Sequence, residues 1–554
     1  MFVYSGGLNI YFSKPGSVYK SQANKKVIFL ANFGFKFMFF ADISVRRYFK
    51  EDLLPMNQII TRYLMNLPCT NPGNAERLNA LIGDDWKYVP QINRWVHWNG
   101  QRWQEETNAT LRNASVDACR QLASAIRYLP QTLDPTEQKQ RAYVLDWLRK
   151  SESLHSFKDT MNYWQGCNAT DFTSFDANPF LLNVQNGTLN LATGTLQPFD
   201  KKDLLTKICV ASYEENAATK EQISDACEDE KTAKKETTEA IDSAGQSVSY
   251  AENTTSLSEN LWLQTVSTIL PDQSVRRWMQ KFMGYCLTGS TEEEKFVIAY
   301  GPGGSGKGTF FETIAAAISD YKAALSIDTL LATAYATDGQ RPTPEFAKLP
   351  GKRFVLSSES NSNRRLDEAK VKLLTGGDTL TARHLNAEPF EFRPAFKLIL
   401  QTNHLPAISD AMDIGIRRRL VIVPFTAQIK NRDTKLKLKL LQPENLNACL
   451  AWCVEGAKLW FAEGLDNDVP DDVAKAASAF YEESDLLQQW LDERTEPSLG
   501  FLKFSRALED FNNWLSKNGS HGWQRKSFAE AMQLHGKMKI RRATGFGYDN
   551  LCLR

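Results

Sequence analysis

Residues Tyr300 to Phe310 read Y-G-P-G-G-S-G-K-G-T-F, and the fold turns on how this stretch is read. The apolar run Phe296 to Ala299 leads into it. Thr309 to Ile318 leaves it with Phe310, Ile314, Ala317 and Ile318 at helical spacing, so the order is strand, glycine loop, helix. Gly301, Gly303, Gly304, Ser305 and Gly306 let the backbone turn its N–H groups inward. The helix start adds a favourable dipole, and Lys307 can reach terminal phosphates. Gly308 and Thr309 complete the loop with one departure. Such loops usually follow the lysine with a hydroxyl for Mg²⁺, but Gly308 has none and Thr309 lies about 100° further round the helix. The expectation from the loop alone is a bound nucleotide, with Mg²⁺ held through water or by an acidic residue elsewhere.

A chain of 554 residues has room for several domains. Its 42% hydrophobic and 24% charged residues are ordinary for a globular protein, which excludes global disorder. With 66 basic and 65 acidic residues the net charge is +1, so a surface for nucleic acid must be local. Nine cysteines without a C-x-x-C pair, and six histidines, argue against zinc and for free thiols in a reducing cytoplasm. The longest apolar run, Val27 to Ala41, is broken by Asn32 and Lys36, so no membrane span is expected.

Residues 1–55 are basic and aromatic without a sustained period and receive no role; they are read as an accessory element or as sequence upstream of a start at Met56. Residues 56–213 form a helical and β-meander domain. In it, W-V-H-W-N-G-Q-R-W (Trp95 to Trp103) reads as a hairpin about Asn99-Gly100. A two-residue loop would set Trp98 opposite Gln101 and Val96 opposite Trp103, with Val96, Trp98 and Trp103 on one face. That face is a stacking platform for bases or, as tryptophan stripes usually are, core. Residues 110–161 read as helices, and L-L-N-V-Q-N-G-T-L-N-L (Leu181 to Leu191) as a second hairpin. Residues 214–258, poor in aromatics and rich in Ala, Ser, Thr, Glu and Lys, read as a solvated linker.

Downstream, the apolar runs Phe354 to Ser358, Phe396 to Gln401 and Leu420 to Phe425 fit a buried, mostly parallel sheet. Glu359 ends the first and can orient an attacking water or hold Mg²⁺ through water. Asn403 follows the second, where an uncharged amide can bond the γ-phosphate. Arg417, Arg418 and Arg419 precede the third; a guanidinium on a transferring phosphoryl group is worth roughly 10³ to 10⁵ in rate. A solvated basic cluster fits the spacing equally well.

The ordered set G-P-G-G-S-G-K-G-T-F, G-K-R-F-V-L-S-S-E, K-L-L-T-G-G-D-T-L-T-A-R, F-K-L-I-L-Q-T-N-H-L-P and G-I-R-R-R-L-V-I-V-P-F resembles the superfamily 3 DNA helicases of phage and plasmid primase-helicases, relatives of the poxvirus primase-helicase. G-N-A-E-R-L at Gly73 to Leu78 and the two hairpins resemble the domain that precedes the motor in that family. The resemblance implies an α/β fold: an AAA+ type P-loop core at 259–480, the helical and β domain before it, and a winged-helix domain at 481–554. It implies a homo-hexameric ring on single-stranded and forked DNA, in a bacterial host's cytoplasm, working beside a separate primase or other replication proteins. Lys307 would bind phosphate, Glu359 serve as the Walker B acid, Asn403 as sensor, and Arg418 or Arg419 as a finger from a neighbouring subunit. A hairpin after Gly376-Gly377-Asp378 would carry Arg383, His384 and Asn386 into the ring channel. Arg525, Lys526, Lys537 and Lys539, with Arg541 and Arg542, would meet duplex DNA. Ser358 stands where a second acid would be expected beside Glu359.

The sequence reading is thus an ATP-dependent motor that unwinds DNA for a phage, satellite or plasmid-like element. Three alternatives stay open: an ATP-controlled origin-binding initiator, a small-molecule kinase, whose loop P-G-G-S-G-K-G-T resembles that of adenylate kinase, and a primase, for which the residues before Asn71 are too few.

Overall fold

The computed structural model describes residues 4–5, 8–9, 54–214, 260–332, 344–358, 365–383, 389–408, 411, 413–430, 432–518 and 522–554. Glu359, His384, Asn386 and nearly all of the charged stretch 214–258 lie outside the described residues. The architecture is mixed α/β with a parallel sheet at its centre.

The first unit begins with α1 (Leu54–Asn66) and α2 (Asn71–Ile82), then a three-stranded antiparallel sheet of β1 (Trp86–Val89), β2 (Arg94–Trp98) and β3 (Trp103–Glu106), then α3 (Asn108–Arg127), α4 (Pro135–Ser151) and α5 (Leu154–Cys167). Buried Arg77 donates to the carbonyls of Leu64 (3.1 Å), Leu67 (2.6 Å) and Pro68 (2.8 Å), so it satisfies acceptors that the end of α1 would otherwise leave orphaned. The β2–β3 hairpin corrects the expected register: Trp98 pairs with Trp103 and Val96 with Glu105. The loop has four residues because the Asn99 side chain accepts from the N–H groups of both Gln101 and Arg102, at 2.9 Å each, and closes its own turn. Val96, Trp98 and Trp103 still share a face, and it packs on Val89 and Phe175 as core. The stripe is not an open stacking platform.

A second meander, β4 (Leu181–Val184), β5 (Gly187–Asn190) and β6 (Thr195–Gln197), aligns Leu182 with Leu189 and sends Leu182, Val184, Leu189 and Leu191 into the main core. Buried Arg353 ties this meander to the sheet by donating to Leu181 O and Leu287 O, both at 2.6 Å, with its guanidinium over the Tyr321 ring.

The large unit opens with α6 (Leu261–Ile269) and α7 (Gln273–Leu287). Its sheet takes β7 (Phe296–Tyr300), β8 (Lys322–Ala324), β9 (Phe354–Ser358), β12 (Lys397–Thr402) and β13 (Leu420–Pro424), in the spatial order β8-β9-β12-β7-β13, all parallel. Helix α8 (Lys307–Ile318) follows β7. Between β9 and β12 come α9 (Glu368–Thr375) and a separate two-stranded hairpin, β10 (Leu380–Arg383) with β11 (Pro389–Phe392). The short α10 (Ile414–Arg417) precedes β13, and α11 (Leu436–Leu440), α12 (Pro443–Glu463) and α13 (Asp471–Ser484) follow it. The central strands are apolar on both faces because each face is covered, by the cluster around α7, α8 and α12 and by the cluster holding Val371, Leu374, Phe390 and Phe480.

Helices α7 and α12 cross where both carry glycine. A β-carbon on Gly456 would collide with the Gln280 carbonyl, and one on Gly284 would stand 2.6 Å from the Ala457 α-carbon. The backbones meet because neither residue has a side chain. Gly456→Ala is therefore expected to lower stability by about 3 kcal/mol, since backbone cannot yield as a side chain can; urea unfolding measures it, with an unchanged midpoint as the contrary result.

The last unit is α14 (Leu486–Arg494), β14 (Thr495–Lys503), α15 (Phe504–Lys517), α16 (Arg525–Leu534), β15 (Lys539–Arg542) and β16 (Gly545–Leu553). Its antiparallel sheet has the order β14-β16-β15, and Trp490, Phe511, Phe528 and Tyr548 fill a core of its own.

Candidate functional site at the glycine loop

The chain leaves β7 toward β8 at one edge of the sheet and leaves β12 toward β13 on the other side. Neighbouring strands whose connections depart in opposite directions leave a crevice beyond their carboxyl ends, the usual ligand position in open parallel sheets. Two residues from the sequence reading meet there. Lys307, the first residue of α8, donates through Nζ to Asn403 Oδ1 at 3.0 Å, just past β12. The same ammonium donates to Gly301 O (2.6 Å), Pro302 O (3.1 Å) and Ser305 Oγ (3.3 Å), so it is folded back into its own loop. Burial holds the Lys307 pKa below the usual lysine value, and a neighbouring anion would oppose that shift.

The loop conformation depends on glycine. Gly304 and Gly306 have φ of +87° and +89°, in the left-handed region, and Gly306 is the N-cap of α8. No side chain caps that helix, so its first N–H groups remain available to a ligand. Gly303 has nothing within 4 Å of where a β-carbon would stand, so it faces open space. Gly308 contributes no oxygen, and Glu312, one turn on, is paired with Lys437 at 2.6 Å. Among the described residues no group of three His, Cys, Asp or Glu side chains could hold a metal ion. Thr309 contributes its carbonyl to Thr313 within α8.

The arginines before β13 stand at the opposite end of the sheet. Phe296 N–H, opening β7, donates to Arg419 O at 2.7 Å, whereas Phe425 N–H, after β13, donates to Tyr300 O at the loop. Five strand residues, roughly 16 Å at about 3.3 Å each, separate the two ends. The three side chains differ. Arg417 lies over the Tyr481 ring, 4.6 Å from its centroid. Arg419 is buried and bonds Glu294 (2.7 Å), Thr375 Oγ1 (3.1 Å) and Gly415 O (2.9 Å). Arg418 is exposed, with Glu294 as its ion-pair partner.

The hairpin expected after Gly377 is present as β10 and β11. Leu380, Ala382, Phe390 and Phe392 bury its inner face, and Arg383 pairs in register with Pro389 at its outer end. In the last unit Arg525 and Lys539 lie over Phe504 (5.4 and 4.8 Å), and Lys539 and Arg541 over half-exposed Phe546 (5.2 and 5.7 Å). Exposed Lys526 stands 4.0 Å from Glu530, Lys537 is half-buried, and Arg542 pairs with Asp549.

Residues 75–243 match the family described as "D5 N terminal like". Proteins named "Putative helicase L207/L206" of Acanthamoeba polyphaga mimivirus (35% identical over 173 residues) and "Putative helicase 022R" of Frog virus 3 (27% over 290) match 31% and 47% of this chain. Residues 75–243 are thus similar to the D5 N-terminal family. Residues 299–419, from the glycine loop to Arg419, match a further family described as "Family of unknown function (DUF5906)". A protein named "Putative primase C962R" of African swine fever virus is 25% identical over 166 residues, 29% of this chain. The chain spans only 18%, 28% and 17% of the lengths of these three relatives. The solved structure "The A form apo structure of NrS-1 C terminal region-CTR" aligns with 85% of this chain and 97% of that one at 8% identity and a TM-score of 0.40, a likeness from which nothing is carried over. No described helix is long and apolar enough to cross a membrane.

Proposed function

We propose that this chain is an ATP-driven DNA-unwinding motor for replication, with an AAA+ type P-loop core of the superfamily 3 kind. The observation that carries the reading is the meeting of Lys307 and Asn403 in the crevice between β7 and β12, beside the uncapped start of α8. A cation, a neutral amide and free backbone donors converging on one space suit a polyphosphate. The names of the relatives, helicase and primase, support a role in DNA replication.

ATP is the substrate in this reading, with Mg²⁺ brought in on its phosphates and Glu359 as the acid that places water and metal. Lys307 exchanges its loop carbonyls for the terminal phosphates, and Asn403 takes the γ-phosphate without adding negative charge. Arg418, too far from its own loop, reaches the loop of the next subunit, which requires a ring; a homo-hexamer is the proposed form. The β10–β11 hairpin then carries Arg383, His384 and Asn386 toward single-stranded DNA. Opening a base-pair step costs about 1 to 2 kcal/mol, so long unwinding needs repeated turnover.

The last unit is read as a winged helix, with α16 as the helix that approaches the duplex and β15–β16 as the wing. Arg525→Ala with Lys539→Ala is expected to weaken duplex binding uniformly across sequences and to reduce the slope of log affinity on log salt by about 2. Fluorescence anisotropy between 50 and 200 mM salt, roughly the range over which phosphate contacts are lost, measures it; an unchanged slope excludes that face.

ATP hydrolysis measured with and without single-stranded DNA tests the function. Stimulation by DNA with no phosphoryl acceptor present is expected. Turnover that instead requires a small-molecule acceptor would make the chain a kinase, and binding of ATP without turnover would make it an initiator.

A further inference from the structure

The segment after β13 lies along the glycine loop and brings cations that the motif reading does not use. A β-carbon on Gly304 would stand 2.9 Å from Arg432 Cζ and nearer still to its Nη2, so the guanidinium lies directly against the loop. The approach is possible only because residue 304 has no side chain. Phe425 N–H, bonded to Tyr300 O at 2.7 Å, fixes where this segment starts, and Lys437, with Nζ 4.0 Å from where a Gly308 β-carbon would be, fixes it again further on. The acid next to Arg432 is already engaged: Asp433 pairs with Lys439 at 2.7 Å and accepts from Lys435 N–H at 2.8 Å. Lys437 is likewise taken by Glu312. Among the described residues the Arg432 guanidinium has no carboxylate partner.

We infer that Arg432 binds the nucleotide phosphates in cis, as a second cation opposite Lys307. This rests on the reading of the loop as an ATP site. A guanidinium laid against Gly304, in the loop that also carries the Lys307 ammonium and the uncapped start of α8, puts like-signed groups around one space, an arrangement that an anion between them relieves. Its parallel N–H groups suit two phosphate oxygens at once, which a lysine ammonium cannot match. It also answers the departure at Gly308: with no hydroxyl there, phosphate charge is met by Arg432 from the segment after the last strand. Arg418 belongs to a different role, because it acts on another subunit's nucleotide.

The test uses the full chain and a fluorescent ATP analogue, comparing wild type with Arg432→Gln, Arg432→Lys and Lys307→Ala, each with its melting temperature recorded without nucleotide. Arg432→Gln is expected to bind at least roughly tenfold more weakly, the scale of one lost charge-assisted bond. Arg432→Lys should recover part of that loss, and nucleotide-free melting should not change. Wild-type affinity in Arg432→Gln, with binding lost in Lys307→Ala, overturns the inference and leaves the ATP site standing. An Arg432→Gln loss that follows a lowered melting temperature, with no recovery in Arg432→Lys, also overturns it, since the arginine would then be structural. A wild-type chain that binds no nucleotide overturns the inference together with the reading it rests on.

Discussion

Lys307→Ala is expected to reduce ATP turnover by roughly 10²- to 10³-fold, the scale on which removing one preorganised electrostatic contact acts, while leaving the fold intact. The reasoning is local. Lys307 Nζ has four oxygen partners in this structure, three from its own loop and one from Asn403. Its removal also removes the cost of burying an ammonium, which offsets the lost hydrogen bonds, so the stability cost is small. The charge it would offer to a polyphosphate has no such offset. Steady-state hydrolysis with a melting curve on the same sample checks both halves. Turnover near wild type would mean that the crevice is not the hydrolytic site.

Arg418→Ala and Arg419→Ala should part company, although the residues are adjacent. Arg419 is buried and bonds Glu294, Thr375 and Gly415, so truncating it leaves Glu294 with only the exposed Arg418, takes the donor from Thr375 Oγ1 and the Gly415 carbonyl, and should cost about 3 kcal/mol of stability. Arg418 is exposed and among the described residues forms an ion pair with Glu294 alone, which Arg419 also holds, so its truncation should cost little stability. If Arg418 completes a neighbour's site, turnover should nevertheless fall by roughly 10³-fold or more. Mixing Arg418→Ala with Lys307→Ala should restore part of the activity, because some interfaces then combine an intact lysine with an intact arginine. Absence of recovery on mixing, with each variant assembling normally, would remove the trans role.

Much of the sheet was legible because its strands are buried on both faces and read as unbroken apolar runs: Phe296 to Ala299, Phe354 to Ser358, Leu420 to Phe425. The edge strand β8 was not. It is three residues, Lys322–Ala324, paired on one side only, and such a strand needs no apolar run. The strand β14, Thr495–Lys503, is interrupted by Pro497 and Gly500 and shifts register between Pro497 and Phe501, so it lacks the alternation by which a strand is recognised. The Trp98 register is not legible, because an Asn-Gly pair suggests a two-residue turn, whereas the Asn99 side chain stabilises a longer one. At the site, the spacing of the loop and the position of Asn403 after a strand could be read directly. The approach of Arg432 to Gly304 could not, since N-R-D-T-K carries no period and the contact depends on the path of the chain after β13. The difference between Arg418 and Arg419 is equally hidden: both precede the same strand and both pair with Glu294, and only the folded chain brings Thr375 and Gly415 to Arg419 alone.

The most direct test of an ATP-driven DNA motor is strand separation on a forked duplex, wild type beside Lys307→Ala, with and without ATP. Separation by the wild-type chain that requires ATP and is abolished in Lys307→Ala is the predicted result. Equal separation by both proteins, or none by an assembled wild type that hydrolyses ATP, would contradict it.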